Sequence, residues 1–214
     1  MNISQLKDRH KDKTCIIMGA GPSLHLLNEN DISDDIVVIC VNSSIKKFIN
    51  RCDYFVTDDW DVTNWDYWKE VYDDKSVVKL LYKDKFLKIK ERDDIVFYNH
   101  RNWNANKEDL STLVISSDPN VPIIGARTSV GSALNLAHIM GCENKFLVGV
   151  DTSFLNDNRY YWQFDGEKKC QRLDGTINRI LKTDHTGEFK RYFDQLKRAN
   201  PEINYNNLSG YLCN

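Results

Sequence analysis

Residues 15–24 read Cys-Ile-Ile-Met-Gly-Ala-Gly-Pro-Ser-Leu, an apolar run that passes directly into Gly19-Ala20-Gly21-Pro22-Ser23. Four apolar residues followed by a glycine-rich turn predict a buried strand, Thr14–Gly19, and then a helix from Pro22 to Asn28. Pro22 suits a first helical position, where a missing N–H costs nothing. Glycines let the backbone turn sharply and approach a ligand closely, and the N–H groups of a helix start can face an anion. Leu24 stands where the dinucleotide fingerprint has its third glycine, and no Gly-Lys-Ser/Thr follows, so neither that fingerprint nor a P-loop is present. Read without a ligand, the same residues make an ordinary strand–turn–helix connection.

Working outward, Asp34–Asn42 is a continuous apolar run of the kind that forms a central parallel strand buried on both faces. Tyr54–Thr57, Val77–Tyr82, Asp94–Tyr98, Lys145–Val150 and Glu202–Tyr205 read as further strands. Helical patterns cover Ile45–Ile49, Trp60–Tyr72, Ala133–Met140 and Glu188–Ala199, with a short helix or arm over residues 1–13. Trp65, Trp68 and Tyr72 fall on one helix face and read as core or interface. Alternating strands and helices predict an α/β, Rossmann-like, mainly parallel sheet with helices on both faces. Residues 1–214 are expected to form a single domain, and the polar, poorly periodic stretch 154–184 reads as a lid-like insertion.

Composition narrows the function. Lys and Arg total 29 against 31 Asp and Glu, which gives no electrostatic footprint for duplex DNA, and no nucleic-acid partner is expected. The six cysteines form no Cys-x-x-Cys pair, so neither a zinc site nor a disulfide framework is indicated. No apolar run reaches the length of a membrane span and no signal peptide is visible; a cytoplasmic location is the expectation.

Ligands of open α/β sheets gather outside the carboxyl ends of the strands. That rule selects Gly19–Ser23, Asn42–Ser44, Asp58-Asp59 and Asp151–Ser153. Gly19–Ser23 would receive phosphate, Asn42 can both donate and accept, and Asp151 can accept from ribose hydroxyls. Asp58 and Asp59, with Asp61 nearby, are hard oxygen ligands suited to Mg²⁺. Arg127, Thr128 and Ser129 enter a helix, where an anionic group is favoured, and His185 has the proton affinity of a general base.

Gly19-Ala20-Gly21-Pro22-Ser23-Leu24, Val41-Asn42-Ser43-Ser44, Cys52 through Asp58 and the block from Arg127 to Asp151 together resemble the MptE-like domain family. That family includes archaeal 6-hydroxymethylpterin diphosphokinases and the central domain of bacterial motility accessory factors. The same blocks are similar to bacterial sialyltransferases of glycosyltransferase family 42. The resemblance covers about residues 14–58 and 123–153, with a weaker match onward from His185. It implies nucleotide binding by Gly19, Gly21, Pro22, Ser23, Asn42, Thr128, Ser129, Asp151 and Ser153. It implies an acceptor-side role for Arg127, a general base at His185, and Tyr160 or Tyr161 as a tyrosine that holds the leaving phosphate. Ser153 departs from the sialyltransferase pattern, which has a tyrosine there.

The resulting expectation is a transferase moving a sugar from a nucleotide-activated donor, CMP-type favoured, to a small-molecule or glycan acceptor, with no cofactor. The alternatives are an MptE-type pyrophosphokinase using ATP and Mg²⁺, held by Asp58 and Asp59, and a non-catalytic nucleotide-binding module. Oligomer formation stays open.

Overall fold

A computed structural model describes residues 1–101, 110–124, 128–151, 160–164 and 186–209, with backbone alone for 163 and 186–189. Seven parallel strands form one sheet: β1 (Thr14–Met18), β2 (Val37–Val41), β3 (Tyr54–Thr57), β4 (Val78–Tyr82), β5 (Ile95–Tyr98), β6 (Asn144–Val148) and β7 (Tyr205–Asn207). Their order is β5-β4-β3-β2-β1-β6-β7. The α/β class is therefore as the sequence predicts.

The chain winds outward from β1 to β5, then crosses back to β6 and β7. Period-two alternation divides each strand between two cores. On one face Ile17, Ile39, Val56 and Leu80 pack with Leu134 and Ala137 of α3 (Ser129–Ile139) and Leu196 of α4 (Thr186–Ala199). On the other, Met18, Cys40, Phe55 and Leu81 pack with Phe48 of α1 (Ile45–Phe48) and Trp68 of α2 (Asp66–Asp73). β2 is buried along its whole length, which explains its unbroken apolar sequence. Helices α1 and α2 of the outward connections lie on one face and α3 and α4 on the other, so winding reverses between β1 and β6.

Several boundaries move for identifiable reasons. The helix expected over Pro22–Asn28 is a 3₁₀ segment, Pro22–Leu26, closed by bonds from Leu24 N–H to Gly21 O and Leu27 N–H to Leu24 O. The last strand is Tyr205–Asn207 instead of Glu202–Tyr205. Pro201 starts a turn closed by Ile203 N–H to Asn200 O, which uses up the first of those residues. The buried Asn200 side chain anchors that turn, accepting from Ile115 N–H and donating to the carbonyls of Leu113 and Leu196. The leading arm holds a 3₁₀ turn, Ile3–Leu6, and then docks on the end of α3 through Asp8 N–H to Ile139 O and His10 N–H to Met140 O. Trp68 is core, stacked on Tyr72 with ring centroids 5.7 Å apart. Cys15, Cys40, Cys52 and Cys142 are buried free thiols. Among the described residues no helix is long and apolar enough to cross a membrane.

Among the described residues two lysines are buried, Lys79 and Lys145, and Lys79 forms an ion pair. Lys79 on β4 is fully buried, its ammonium 2.8 Å from Asp94 Oδ2 and bonded to Asp74 O. Arg92 also donates to Asp94, and its guanidinium together with Lys79 holds that carboxyl well below the usual carboxylate range. A carboxyl lowered by folding contributes its stability above its unfolded pKa and loses it only as pH falls through the folded value. Lys79→Met should therefore cost roughly 3 kcal/mol in urea unfolding at neutral pH, at the low end for breaking a buried pair because Arg92 stays on Asp94. An unchanged midpoint would mean that the pair contributes nothing.

Candidate functional site

At the point of reversal the ends of β1 and β6 are locked together. Gly19 N–H donates to Val148 O at 2.8 Å and Gly21 N–H to Gly149 O at 2.7 Å. A Cβ on Gly19 would lie 2.3 Å from Gly149 O, and one on Gly21 would lie 2.2 Å from Asp151 Oδ2. Gly149 has φ +68° and faces Gly19 O just as closely, at 2.4 Å for an added Cβ. The glycines are thus required by strand-to-strand contact within the protein.

Ser23 completes this latch. It is fully buried; its N–H (3.1 Å) and its hydroxyl (2.9 Å) both donate to Asp151 Oδ2, while its Oγ accepts from Gly149 N–H at 3.2 Å. The sequence reading assigns these donors to a nucleotide phosphate; in the fold Asp151's carboxylate takes them. Burial pushes the Asp151 carboxyl up, opposed by the bonds from Ser23. Pro22 is buried beneath the turn.

The described part of the expected lid, residues 160–164, covers the latch. Tyr161 N–H donates to Ala20 O, and Phe164 stacks on His25 at 4.2 Å. Tyr161 is buried, and its hydroxyl donates to Ser43 O at 2.8 Å. That corrects its assignment as a phosphate-holding tyrosine, because its one proton already has a protein acceptor. Tyr160 is half-buried and stacks on Trp162 at 5.1 Å.

Among the described residues an open crevice lies beside the latch, beyond the ends of β2 to β5. It has a volume of about 460 Å³ and is lined by Asn42, Asp58, Asp59, Tyr82, Lys85, His100, Thr128 and Ser129. Asn42 follows β2 with φ +53°, a left-handed geometry that asparagine tolerates, and its Oδ1 is buried with no hydrogen-bond partner. Thr128 caps α3 by accepting from Val130 N–H at 3.3 Å. Ser129 Oγ accepts from Asp58 N–H at 3.0 Å.

Asp58 is the hub of this crevice. Its Oδ1 takes the Tyr98 hydroxyl and lies 3.3 Å from His100 Nε2; its Oδ2 takes the Ser132 hydroxyl at 2.7 Å. Burial first, and Asp58 next, push the Tyr98 phenol well up, so it stays an O–H donor. His100 Nε2 is also 3.1 Å from Ser132 Oγ, and its ring stacks on Tyr82 at 4.0 Å. Asp, His and Ser meet here without the wiring of a hydrolase triad, since both partners face the same ring nitrogen and Ser132 is fully buried. The His100 backbone is pinned by a bridge to Ile123, with Arg101 N–H on Ile123 O and Ile123 N–H on Asn99 O.

Asp58 and Asp59, the candidate cation ligands, already accept hydrogen bonds within the protein. Both Asp58 oxygens are engaged by protein groups, and Asp59 Oδ1 accepts from Asp61 N–H at 2.9 Å to cap the 3₁₀ turn Trp60–Asn64. Among the described residues no group of three His, Cys, Asp or Glu side chains is placed to hold a metal.

A family model described as "6-hydroxymethylpterin diphosphokinase MptE-like" matches residues 1–157, a span that contains both the latch and every residue of the crevice. The chain belongs to the MptE-like family. Among solved structures it is similar to the MAf glycosyltransferase from Magnetospirillum magneticum AMB-1, at 15% identity and a TM-score of 0.43 over 72% of this chain. That match covers 27% of the other protein, so the chain spans about a quarter of its length. No curated protein matches.

Of the residues expected to bind or act, Asn42, Asp58, Asp59, Thr128 and Ser129 meet in the crevice of this MptE-like chain, and Gly19, Gly21, Pro22, Ser23 and Asp151 form the latch beside it. Arg127, Ser153 and His185 lie outside the described residues. Tyr82, Lys85 and His100 were missed, although they obey the rule that selected the others: each lies at or just after a strand's carboxyl end.

The latch leaves no room for a Cβ. Gly21→Ala should destabilise the protein by several kcal/mol, the range that diagnoses forced overpacking or broken buried networks, and lower Tm in calorimetry. An unaltered Tm would show that β1 and β6 separate freely.

Proposed function

We propose that this chain is a nucleotide-dependent transferase that moves a sugar from a nucleotide-activated donor to an acceptor hydroxyl, with the nucleotide in the crevice beyond β2–β5. The observation that carries this reading is Asn42 Oδ1, a buried acceptor without a partner on a wall of that crevice. Such an atom costs about 1–3 kcal/mol when unpaired, and a base amino group or ribose hydroxyl would satisfy it. Lys85 supplies a cation for the phosphates, and Thr128 and Ser129 bring the start of an eleven-residue helix alongside. The volume suits a mononucleotide-sized ligand.

In the reaction the acceptor oxygen forms a bond to the anomeric carbon as the bond from that carbon to the nucleotide phosphate breaks. The nucleotide leaves with the electron pair, and the hydroxyl proton passes to a base. The family's diphosphokinase description supports a transferase and supplies a second reading, pyrophosphoryl transfer from ATP with Mg²⁺. The engagement of both Asp58 oxygens by Tyr98, Ser132 and His100 favours the sugar over the metal-dependent chemistry.

Thermal-shift titration with CMP, CDP, UDP, GDP and ATP, with and without Mg²⁺, separates these. A nucleotide at a hundred times its Kd should add about 2.7 kcal/mol of stability. Metal-independent stabilisation, weakened about tenfold in Kd by Lys85→Ala or Asn42→Ala, is expected. A response to ATP only with Mg²⁺ would point to the diphosphokinase, and no response to any nucleotide would contradict both.

A further inference from the structure

We propose that His100 is the proton acceptor of the crevice, held by Asp58 and Ser132 as the Nε2–H tautomer with the lone pair of Nδ1 presented to the acceptor hydroxyl. The proposal rests on the transferase reading above and gives the proton to His100 in the crevice instead of His185, the base that the resemblance implies and that lies outside the described residues.

The tautomer follows from counting protons. An ionised carboxylate only accepts, and Asp58 takes the Tyr98 hydroxyl on Oδ1 and the Ser132 hydroxyl on Oδ2. Ser132 has one hydroxyl proton, and it goes to Asp58. The Ser132 oxygen, 3.1 Å from His100 Nε2, is then left as an acceptor there. Asp58 Oδ1, 3.3 Å from the same nitrogen, favours a proton at that position as well. Neutral His100 must therefore carry its hydrogen on Nε2, and Nδ1 keeps the lone pair. Among the described residues nothing hydrogen-bonds to Nδ1, and the ring is part of the crevice wall with Asp59, Lys85 and Asn42.

The rest of the surroundings restrains the ring. Tyr82 stacks on one face in a nearly parallel plane, 10° apart, and the Ile123 bridge fixes the backbone on either side. When an acceptor hydroxyl attacks, its proton moves to Nδ1, its oxygen joins the anomeric carbon, and the nucleotide phosphate leaves with the electrons of the broken bond. The imidazolium so formed lies against the Asp58 carboxylate, which supports its charge. Asp58 and Ser132 are positioning residues: they face Nε2, the ring nitrogen that does not take the proton.

The test is a long-range ¹H–¹⁵N correlation spectrum of the histidine rings in the full ¹⁵N-labelled chain, paired with nucleotide release from CMP-N-acetylneuraminic acid and from ATP. Neutral His100 should show a protonated Nε2 and an unprotonated Nδ1. Asp58→Asn, whose amide can donate, should shift His100 toward the Nδ1–H form, a change that loss of packing alone would not produce. His100→Gln should retain stabilisation by the nucleotide while slowing release about 10²- to 10⁴-fold, the usual contribution of a general base. An Nδ1–H tautomer in the wild-type protein overturns the proposal without need of any variant. Release by His100→Gln at the wild-type rate overturns it as well. Failure of every nucleotide to stabilise the wild-type chain refutes the transferase reading instead, and the tautomer then decides His100 by itself.

Discussion

The backbone contact between Gly19–Gly21 and Gly149 governs the rest of the site. Two strand ends approach so closely that neither has space for a side-chain carbon, and Asp151 then reaches Ser23 from the far side. A carboxylate accepting a backbone N–H and a hydroxyl is a charge-assisted contact, stronger than its neutral equivalent. It ties the turn after β1 to the end of β6. Among the described residues, an open crevice lies beside this latch, beyond the ends of β2 to β5.

Asp58 plays the corresponding part in that crevice. It follows β3, Tyr98 ends β5, and Ser129 and Ser132 belong to the first turn of α3, so one carboxylate joins two strands and a helix. Such a network is favourable only while every member has its partner, because a buried charge left unpaired is costly. The same bonds that hold the three elements together also fix the tautomer of His100. Structural and chemical roles therefore coincide in Asp58 in the proposed reading.

Local pattern was enough for the strands. The unbroken apolar run of β2 reports burial on both faces, and the glycine-rich turn correctly marks the end of β1. What local pattern lacks is the identity of distant partners. The 3₁₀ form of Pro22–Leu26 accompanies Ser23's bond to a carboxylate 128 residues away, and Tyr161 loses its hydroxyl to a carbonyl 118 residues back. His100 is a different case. The rule that ligands sit at strand ends applies to β4 and β5 as much as to β1, β2, β3 and β6, and Tyr82, Lys85 and His100 become visible once it is applied to all of them. Asn42 was legible as a polar strand-end residue, whereas its left-handed backbone and unpartnered oxygen needed coordinates.

In the proposed reading the nucleotide enters beside the latch and not within it. Backbone amide shift mapping of the ¹⁵N-labelled chain during titration with CMP, and separately with ATP, tests this directly. Perturbations are predicted at Asn42, Asp59, Lys85, His100 and Ser129, with the Gly19, Gly21 and Gly149 amides unmoved. Shifts concentrated at Gly19–Ser23, with the crevice residues silent, would contradict it.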